Sequence, residues 1–417
     1  KNGISQGVAA TGLTDGPYLP SVVINGSSRS CSINFGQKPF KFPPPDGFQS
    51  LNSASTRPDT VFARPDQYVG VVTYTGNNGT QSITGYNFSP DLVFTKQRTN
   101  TGFPAWFDVL RGPTNAIRSS STGGTYNDSD LLTSFDFNGF SIGSAGDINS
   151  ANDYVAWAWK AGGHAGTFNV DGAGFASAAA AGLTGGDITP TGASVGTKQG
   201  FSIIKYTGGG SDLDTLPHGL SQTPDFIITK NLSDGAVDWI IKPVGLLTDD
   251  TYMLIFNNNA QFQGTGGHIV SQDSNVVTFK DGSNRLNYND SGDNYIMYAW
   301  HDVPGLQKFG EYTGSSSLPF VECGFRPAVI ILKKYDGTDK WCIYDTARGT
   351  VNTIQTQLHP DTSDAESGNF FNFDILSNGF RPMDTSGQVN ENNKNYIFAA
   401  WAEAPTVNLF GAQSNAR

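Results

Sequence analysis

The chain has 417 residues, a formal net charge of −11 and a sequence pI near 4.8, and its length is sufficient for about two to four domains. The acidic balance argues against nucleic-acid binding and against docking on anionic membranes, because both use clusters of Lys and Arg. No apolar run reaches about 18 residues, so no segment is predicted to span a bilayer, and 50 Gly with only 15% charged residues favour short strands and turns over helices.

The first residues carry strand-like pieces followed by a Pro-rich exit. Residues 2–7 (NGISQG) and 32–40 (SINFGQKPF) resemble the last strands of a SPRY domain, which is a lectin-like β-sandwich. Residues 45–52 (PDGFQSLN) resemble the segment that follows that domain in many tailed-phage virion proteins. The resemblance implies that residues 1–52 are the C-terminal strands of such a sandwich. Since the chain begins at Lys1, we expect it to be the C-terminal part of something longer, or a trimmed product.

Three stretches recur in the rest of the chain, beyond a predicted linker at residues 53–68. Each unit opens with Tyr-Thr-Gly, continues with a Pro-led strand that ends in Lys, and closes with an aromatic strand that ends in Trp. Pro lacks a backbone donor, so it marks the first residue of a strand. The copies are the openings at Tyr74, Tyr206 and Tyr312, the Pro-led strands at 90–96, 224–230 and 327–333, and the closing strands at 153–159, 294–300 and 395–401.

The closing strand is predicted to lie in the middle of a sheet and to be covered on both faces. Its Tyr and its final Trp are five positions apart in every copy. Side chains alternate between the two faces of a strand, so these two rings point to opposite sides. Such self-similarity predicts three copies of one β module.

The predicted fold is all-β, with three related antiparallel β-sandwich or jelly-roll modules after the partial SPRY-like sandwich. The modules are predicted at residues 69–160, 200–304 and 305–405. A C-terminal tail follows at 406–417. Residues 161–199 are dominated by Gly and Ala, and are predicted to form a long linker between the first and second modules.

Several local signals add detail to the modules. Asn-Gly pairs within residues 131–143 and 369–382 predict β-hairpins. The three cysteines are too scattered for a disulfide framework or a zinc site, and we interpret them as buried apolar residues, with a Cys323–Cys342 bridge as the alternative. The recurring Lys and Arg are interpreted as charges that end strands and pair with a neighbouring Asp: Lys96, Lys230, Lys333, Arg111 and Arg348.

The layout of residues 69–405 resembles a module found downstream of SPRY-like domains in tail and fibre proteins of tailed phages, especially marine phages. The phrases at residues 324–328 (GFRPA), 343–348 (IYDTAR) and 376–380 (LSNGF) carry this resemblance. It implies a location on the virion surface, other virion proteins as partners, and a homo-oligomer that is a trimer. It supplies no catalytic residues.

Three tryptophans are the candidate ligand contacts. Trp106, Trp239 and Trp341 occupy matching places beside turns in the three predicted modules. Lectins hold sugars on aromatic faces, so the three rings are candidates for contact with a glycan. The alternative is that each Trp, which opens an apolar strand, belongs to the core.

An oxygen-rich loop is the candidate metal site. Asn289, Asp290 and Asp293 offer oxygen ligands of the kind calcium prefers. No ligand twelve positions on completes an EF-hand pattern, so a solvated turn is the alternative. No other cofactor is predicted.

A glycan hydrolase needs two carboxylates a few ångström apart. All five Glu lie in the third predicted module, and Glu311, Glu403 and Asp345 are the candidates, with ordinary strand-end and loop carboxylates as the alternative. The five His lie in unlike contexts, and no nucleophile elbow is present. The prediction is therefore a protein without catalytic residues.

Three functions follow from these patterns. The first is a tail-fibre or surface appendage of a phage that binds a host-surface glycan or protein without catalysis. The second is a purely structural decoration or collar protein of the virion. The third is a glycan depolymerase of the tailspike type.

Overall fold

The computed structural model describes residues 62, 64–243, 252–261, 263–264, 269–280, 287–368 and 372–404. The predicted SPRY-like strands, most of the predicted linker at 53–68 and the tail at 406–417 lie outside these residues. The chain divides into Lys1–Val61 and a compact unit, Phe62–Arg417. The described part is all-β, as predicted, apart from a 3₁₀ turn at Pro65–Gln67 and the single-turn helix α1 (Gly146–Asn149). Within it, no helix is long and apolar enough to cross a membrane.

The first nine strands form two sheets, and we call them module 1. Their bounds are β1 (Val69–Thr75), β2 (Gln81–Thr84), β3 (Leu92–Gln97), β4 (Ala105–Asp108), β5 (Asn115–Arg118), β6 (Tyr126–Asn127), β7 (Leu132–Asp136), β8 (Gly139–Ile142) and β9 (Asp153–Trp159). The larger sheet has the order β1-β9-β3-β4-β5-β6 and the smaller one the order β2-β8-β7.

Three strands follow in the Gly/Ala-rich segment, and nine more form module 2. The first three are β10 (Phe168–Val170), β11 (Ala173–Phe175) and β12 (Gly192–Gly196). Module 2 consists of β13 (Phe201–Thr207), β14 (Thr215–Pro217), β15 (Phe226–Asn231), β16 (Ile240–Pro243), β17 (Tyr252–Ile255), β18 (Gln263–Gly264), β19 (Ile269–Gln272), β20 (Val276–Phe279) and β21 (Asn294–Trp300). Its sheets have the orders β11-β10-β12-β13-β21-β15-β16-β17-β18 and β14-β20-β19.

The last seven strands are module 3. Their bounds are β22 (Gln307–Thr313), β23 (Val321–Glu322), β24 (Pro327–Lys334), β25 (Cys342–Asp345), β26 (Phe373–Leu376), β27 (Gly379–Pro382) and β28 (Asn395–Ala402). The sheets have the orders β22-β28-β24-β25 and β23-β27-β26. Four neighbouring strands of the large sheet therefore follow one order in all three modules, and so do the strands of the small sheet.

Each closing strand lies inside its large sheet and separates two cores, as its two-sided apolar pattern predicts. In module 1, Tyr154 stacks on Tyr74 at 5.1 Å between ring centroids, and the pairs Tyr206–Tyr295 and Tyr312–Tyr396 repeat this contact at 5.1 and 5.0 Å. The final Trp of each strand lies on the other face, in a core that all three modules share. Aromatic burial on both faces makes these strands the centre of the fold.

The recurring Tyr-Thr-Gly has a steric cause. In each copy the Gly lies against the backbone that follows a buried Asn, and a Cβ on Gly314 would come within 2.2 Å of the carbonyl oxygen of Glu391. The side chain of that Asn, Asn390 in module 3, accepts a hydrogen bond from the backbone N–H of Ser315 at 2.8 Å. Asn149 and Asn289 make the same contact with Asn77 and Gly209 in the other modules.

The Gly/Ala-rich segment is not the predicted tether. Strand β12 pairs along β13, β10 pairs in parallel with β12, and β11 forms the edge of the sheet. Leu183, Ile188 and Val195 are buried in the core of module 2. Small residues allow these short strands to approach the sheet closely: a Cβ on Gly162 would collide with the backbone of Val195.

The three modules surround a common aromatic core. All seven Trp of the chain belong to it: Trp106, Trp157, Trp159, Trp239, Trp300, Trp341 and Trp401. Trp159 meets Trp401 edge-on at 5.2 Å, and Trp401 meets Trp300 at 6.0 Å, so residues from all three modules touch at this point.

Buried lysines connect the modules in a cycle. The ammonium of Lys230 in module 2 donates to the carbonyl oxygen of Thr122 in module 1 at 2.9 Å. Lys333 of module 3 donates to Asn259 of module 2 at 3.3 Å, and Lys96 of module 1 donates to Thr362 of module 3 at 2.7 Å. Each of these lysines is the last residue but one of its strand, as predicted, but the predicted pairing with Asp is wrong, because each is fully buried and bonded to carbonyl groups.

The other local predictions have mixed outcomes. Both Asn-Gly hairpins are confirmed, as β7–β8 and β26–β27, although residues 369–371 lie outside the described part. Arg111 and Arg348 pair with Asp108 and Asp345, as predicted. Cys323 and Cys342 are buried free thiols, so the alternative of a bridge between them is wrong; Cys31 lies outside the described residues.

Candidate functional site

A polar groove opens where module 1 meets module 2, and we call it the junction groove. It consists of two cavities, of about 350 and 270 Å³, that share Lys205 in their linings. The remaining lining residues are Val109, Leu110, His164, Gly166, Thr167, Thr191 and Gly192 in the first cavity, and Arg111, Asn115, Thr125, Leu232, Ser233 and Asn294 in the second. Hydroxyl, amide and cationic groups are thus all present in its lining, which suits a polar ligand.

Lys205 projects into the groove from strand β13. Its register partner on β12 is Gly192, and a Cβ placed there would contact both Leu110 and the Cβ of Lys205 at 3.8 Å. The Gly therefore keeps this stretch of the groove wide. Within the described residues, the half-buried Lys205 ammonium has neither a hydrogen bond nor an ion pair.

His164 is a second titratable group in the groove and lines the first cavity together with Lys205. Its side chain is 50% exposed, and Nδ1 lies 3.5 Å from Oδ1 of Asp91, whose side chain is buried. The other carboxylate oxygen of Asp91 accepts hydrogen bonds from the N–H groups of Ala161 and Gly163 at 2.8 and 2.9 Å. The Asp91 carboxylate raises the pKa of His164, against an opposing effect of partial burial, and so favours the imidazolium form.

Arg111 contributes little free charge to the groove. Its Nε lies 2.5 Å from Asp108, and its other nitrogens donate to the carbonyl oxygens of Asn115 and Trp106. Because the guanidinium is paired and hydrogen-bonded, Lys205 is the cation that remains to meet a ligand in this part of the described structure.

A second cleft, of about 420 Å³, lies on the other side of the 160–172 stretch. Lys160, Lys198 and Tyr68 are part of its lining, together with Gln67, Asn87, Phe88, Ala161, Gly162, Gly163, Asp171, Gly172 and Gln199. Its carboxylate, Asp171, is held by the backbone N–H and hydroxyl of Thr197. The cleft is larger than either cavity of the junction groove; of its two lysines, Lys198 is exposed and Lys160 is half-buried, as Lys205 is.

The three tryptophans proposed as sugar contacts are core residues. Trp106, Trp239 and Trp341 are at most 1% exposed and lie in the shared aromatic core. The indole N–H groups of Trp239 and Trp341 donate to the carbonyl oxygens of Arg118 and Ile255 in neighbouring modules. A ring that is covered on both faces cannot stack on a sugar, so the prediction of sugar contact is wrong. The alternative, that each Trp belongs to the core, is correct.

The prediction that the three rings occupy matching places also needs correction. Trp106 lies opposite Phe94 within β4, at the register position that Ile241 and Ile343 occupy in modules 2 and 3. Trp239 and Trp341 come two positions earlier, ahead of strands β16 and β25. The sequence carries a signal of this shift, because Trp106 precedes Arg111 by five residues whereas Trp341 precedes Arg348 by seven.

The candidate catalytic carboxylates are far apart. Glu311 pairs in register with Ile397, and Glu403 follows six residues later, which corresponds to about 20 Å along a strand. Paired glycosidase carboxylates lie within about 10 Å of each other. Asp345 is fully buried in its ion pair with Arg348. These three residues therefore do not form such a pair.

The candidate calcium ligands have other roles. Asn289 is buried and bonds to Gly209, Ser211 and Asp214. The carboxylate of Asp293 accepts a hydrogen bond from Asn231, and the N–H of Asp290 donates to Tyr295. Among the residues that the structure describes, no cluster of three His, Cys, Asp or Glu is suited to a metal ion.

The family of the chain follows from comparison with known proteins. Residues 64–405 match the model of a domain of unknown function, DUF7483, and this range includes all three modules. The chain belongs to the DUF7483 family. The DUF7483 match includes the Gly/Ala-rich segment between modules 1 and 2, in agreement with the role of that segment as part of the sheet.

A short stretch also resembles a plant protein. Over 61 residues the chain is 46% identical to the E3 ubiquitin-protein ligase RKP of Arabidopsis thaliana. This stretch is 14% of the chain and 5% of that protein, so the chain spans about one-twentieth of the relative's length. So short a shared piece gives no reason to assign ligase activity to the DUF7483 chain.

Proposed function

We propose that the chain is a non-catalytic surface protein of a phage virion, a tail fibre or appendage, that binds a host-surface glycan in the junction groove. The groove is the observation that carries the binding part of the proposal. It is open, polar and lined by side chains from two modules, whereas the core that the three modules share is filled by aromatic rings.

The rigidity of the three-module body supports a display role. Seven tryptophans and three buried lysines hold the modules together, so the groove has a fixed shape before any ligand arrives. A preformed site binds with a smaller loss of conformational entropy than a mobile one. The virion context comes from the resemblance of residues 69–405 to phage tail and fibre modules, and with it the expectation of a homotrimer.

The test combines glycan arrays with adsorption to host cells, using the full chain. Binding to a defined set of glycans, and competition of the same glycans with cell adsorption, is the expected result. Labelling the protein on assembled particles and measuring its mass in solution test the virion location and the trimer.

Failure to bind any glycan or cell, by a protein that labelling nevertheless places on the assembled particle, would favour the purely structural decoration or collar protein. Release of reducing ends from host polysaccharide would instead favour the depolymerase.

A further inference from the structure

Two equivalent positions, one on the opening strand and one just after the recurring buried Lys, carry different residues in the three modules. The fifth residue of the opening strand is Thr73, Lys205 or Glu311, as the registers with the closing strands show. Two residues after the recurring buried Lys comes Arg98, Leu232 or Tyr335. Because the modules share one strand order, these pairs occupy equivalent places, and comparing them shows how each charge is satisfied.

In modules 1 and 3, the charged residues at these two positions are paired with other residues of the chain. At the junction of these two modules, Arg98 forms an ion pair with Glu366 at 2.6 Å, and Arg348 lies 3.6 Å from the same carboxylate. Elsewhere in module 3, Glu311 accepts a hydrogen bond from the hydroxyl of Tyr335 at 3.1 Å. Each charged residue of the pair thus has a partner within the chain.

In module 2, the charged residue at these positions is Lys205, and the partner found in the other modules is missing. Leu232 occupies the position of Arg98 and has no polar group to offer Lys205. Ile343 of module 3 pairs with Leu358, and the equivalent Trp106 of module 1 pairs with Ile117. Glu366 comes eight residues after Leu358 and Thr125 comes eight residues after Ile117, so Thr125 is the module 1 residue that corresponds to Glu366. The carboxylate found at the junction of modules 3 and 1 is therefore missing at the junction of modules 1 and 2, and a cavity with a lysine is found there instead.

We propose that Lys205 receives an anionic substituent of a sugar, a carboxylate or a sulfate, in the junction groove. This inference rests on the proposed function and names the class of glycan. The anion would pair with the cation at the junction of modules 1 and 2, as the Glu366 carboxylate pairs with Arg98 at the junction of modules 3 and 1. Thr125, Ser233 and Asn294 offer hydrogen-bonding groups around the same cavity, and His164 lines the adjoining cavity, where it can contact a second sugar residue.

The first experiment measures oligosaccharide binding by calorimetry. A uronic-acid oligosaccharide, a sulfated one and a neutral one of equal length are titrated into the full chain. We expect one of the two anionic sugars to bind at least about tenfold more tightly than the neutral one, with an affinity that falls as salt rises. Lys205→Met removes this preference, whereas Lys280→Met, which deletes an exposed lysine of the same module outside the groove, preserves it. Equal binding of all three sugars, or unchanged preference in Lys205→Met, overturns the inference while the proposed function stands.

The second experiment needs no glycan. Thr125→Glu places a carboxylate at the position corresponding to Glu366, so it is expected to raise the Tm by about 2 °C, and to do so only when Lys205 is present. The cycle of Thr125→Glu with Lys205→Met measures this coupling directly. If the cycle shows coupling but the protein binds no glycan, the proposed function is refuted, while the inference that an anion is held beside Lys205 stands. If the cycle shows no coupling and Thr125→Glu still binds the anionic sugar unchanged, the inference that the anion is held beside Lys205 is refuted.

Discussion

The hydroxyl of Tyr298 donates a 2.8 Å hydrogen bond to Oδ2 of Asp108, across the junction between modules 2 and 1. The corresponding bond between modules 1 and 3 joins the indole N–H of Trp157 to Asp345 at 3.1 Å. At the third equivalent place, donor and acceptor have both been replaced, by Ala399 and Pro243. The paired loss has a physical reason, since a buried Asp without its donor would lack a hydrogen bond.

Removing the Tyr298 hydroxyl is expected to destabilise the protein. Tyr298→Phe should lower the free energy of unfolding by about 1–2 kcal/mol, because Asp108 loses a buried donor. Urea denaturation of the full chain measures the change. Tyr126→Phe is the matched control, since that ring is exposed and its change should stay within about 0.5 kcal/mol. Equal effects of the two variants would contradict the importance of the cross-junction bond.

The ion pair of Asp345 with Arg348 should show strong coupling. Both side chains are fully buried and 2.6 Å apart, so Asp345→Ala leaves a buried guanidinium whose nearest carboxylate is that of Glu366 at 3.6 Å, and should cost about 3–5 kcal/mol. The double variant Asp345→Ala with Arg348→Met should recover much of that loss. Module 2 provides the precedent, because its sequence has Pro243 and Leu246 at these two positions. Additive losses in the double-mutant cycle would show that the pair does not act as a unit.

The inter-module lysines predict a stability that rises in mild alkali. Burial lowers the pKa of Lys96, Lys230 and Lys333 to about 8, from an ordinary value near 10.5. Between these two values the unfolded chain binds more protons than the folded one, so the free energy of unfolding increases as pH rises from about 8 to 9.5. Each lysine contributes on the order of 1–2 kcal/mol over that interval.

Denaturation midpoints at pH 7.5, 8.5 and 9.5 measure this trend. Above about pH 10, ionisation of tyrosines in the unfolded state opposes it, because burial raises the pKa of Tyr206 and Tyr298 in the folded state. Lys230→Met should flatten the rise by about a third, whereas Lys280→Met should leave the slope unchanged. A flat profile in the unaltered protein would show that the three ammonium groups are not penalised by burial.

The glycine of the Tyr-Thr-Gly opening should tolerate no side chain. Gly314→Ala places a Cβ within 2.2 Å of the Glu391 carbonyl oxygen, so backbone must move, and we expect a loss of about 3 kcal/mol. Gly368→Ala, in the same module, meets no atom within 4 Å and serves as the control. Thermal unfolding compares the two. A Gly314→Ala protein as stable as the control would contradict the close approach.

Tryptophan fluorescence should not change when a ligand binds. Because all seven indoles lie in the shared core, emission should be blue-shifted and resistant to acrylamide quenching. Titration with a glycan that binds the groove should leave the spectrum unchanged, and Trp341→Phe should alter stability rather than affinity. Quenching by a bound sugar would restore Trp106, Trp239 or Trp341 as ligand contacts.

The sequence by itself determined the all-β class, the two-sided closing strands and the Asn-Gly hairpins. These features depend on alternation and turn chemistry within a few residues, so they can be read locally. The Asn that holds each opening loop also recurs, five or six residues before the closing Tyr, and this spacing is a signal that the three copies offer for finding it.

Tertiary structure alone decided where the aromatic rings and charges went. Whether Trp106 meets a sugar or a core depends on which module packs against it, and the acceptor of the Lys96 ammonium, Thr362, lies 266 positions away in the sequence. The junction groove likewise joins His164 and Lys205 with Thr125, residues whose neighbourhood arises only when two modules and the Gly/Ala-rich strands assemble. Local patterns specify elements, but burial and charge pairing between modules are properties of the packed whole.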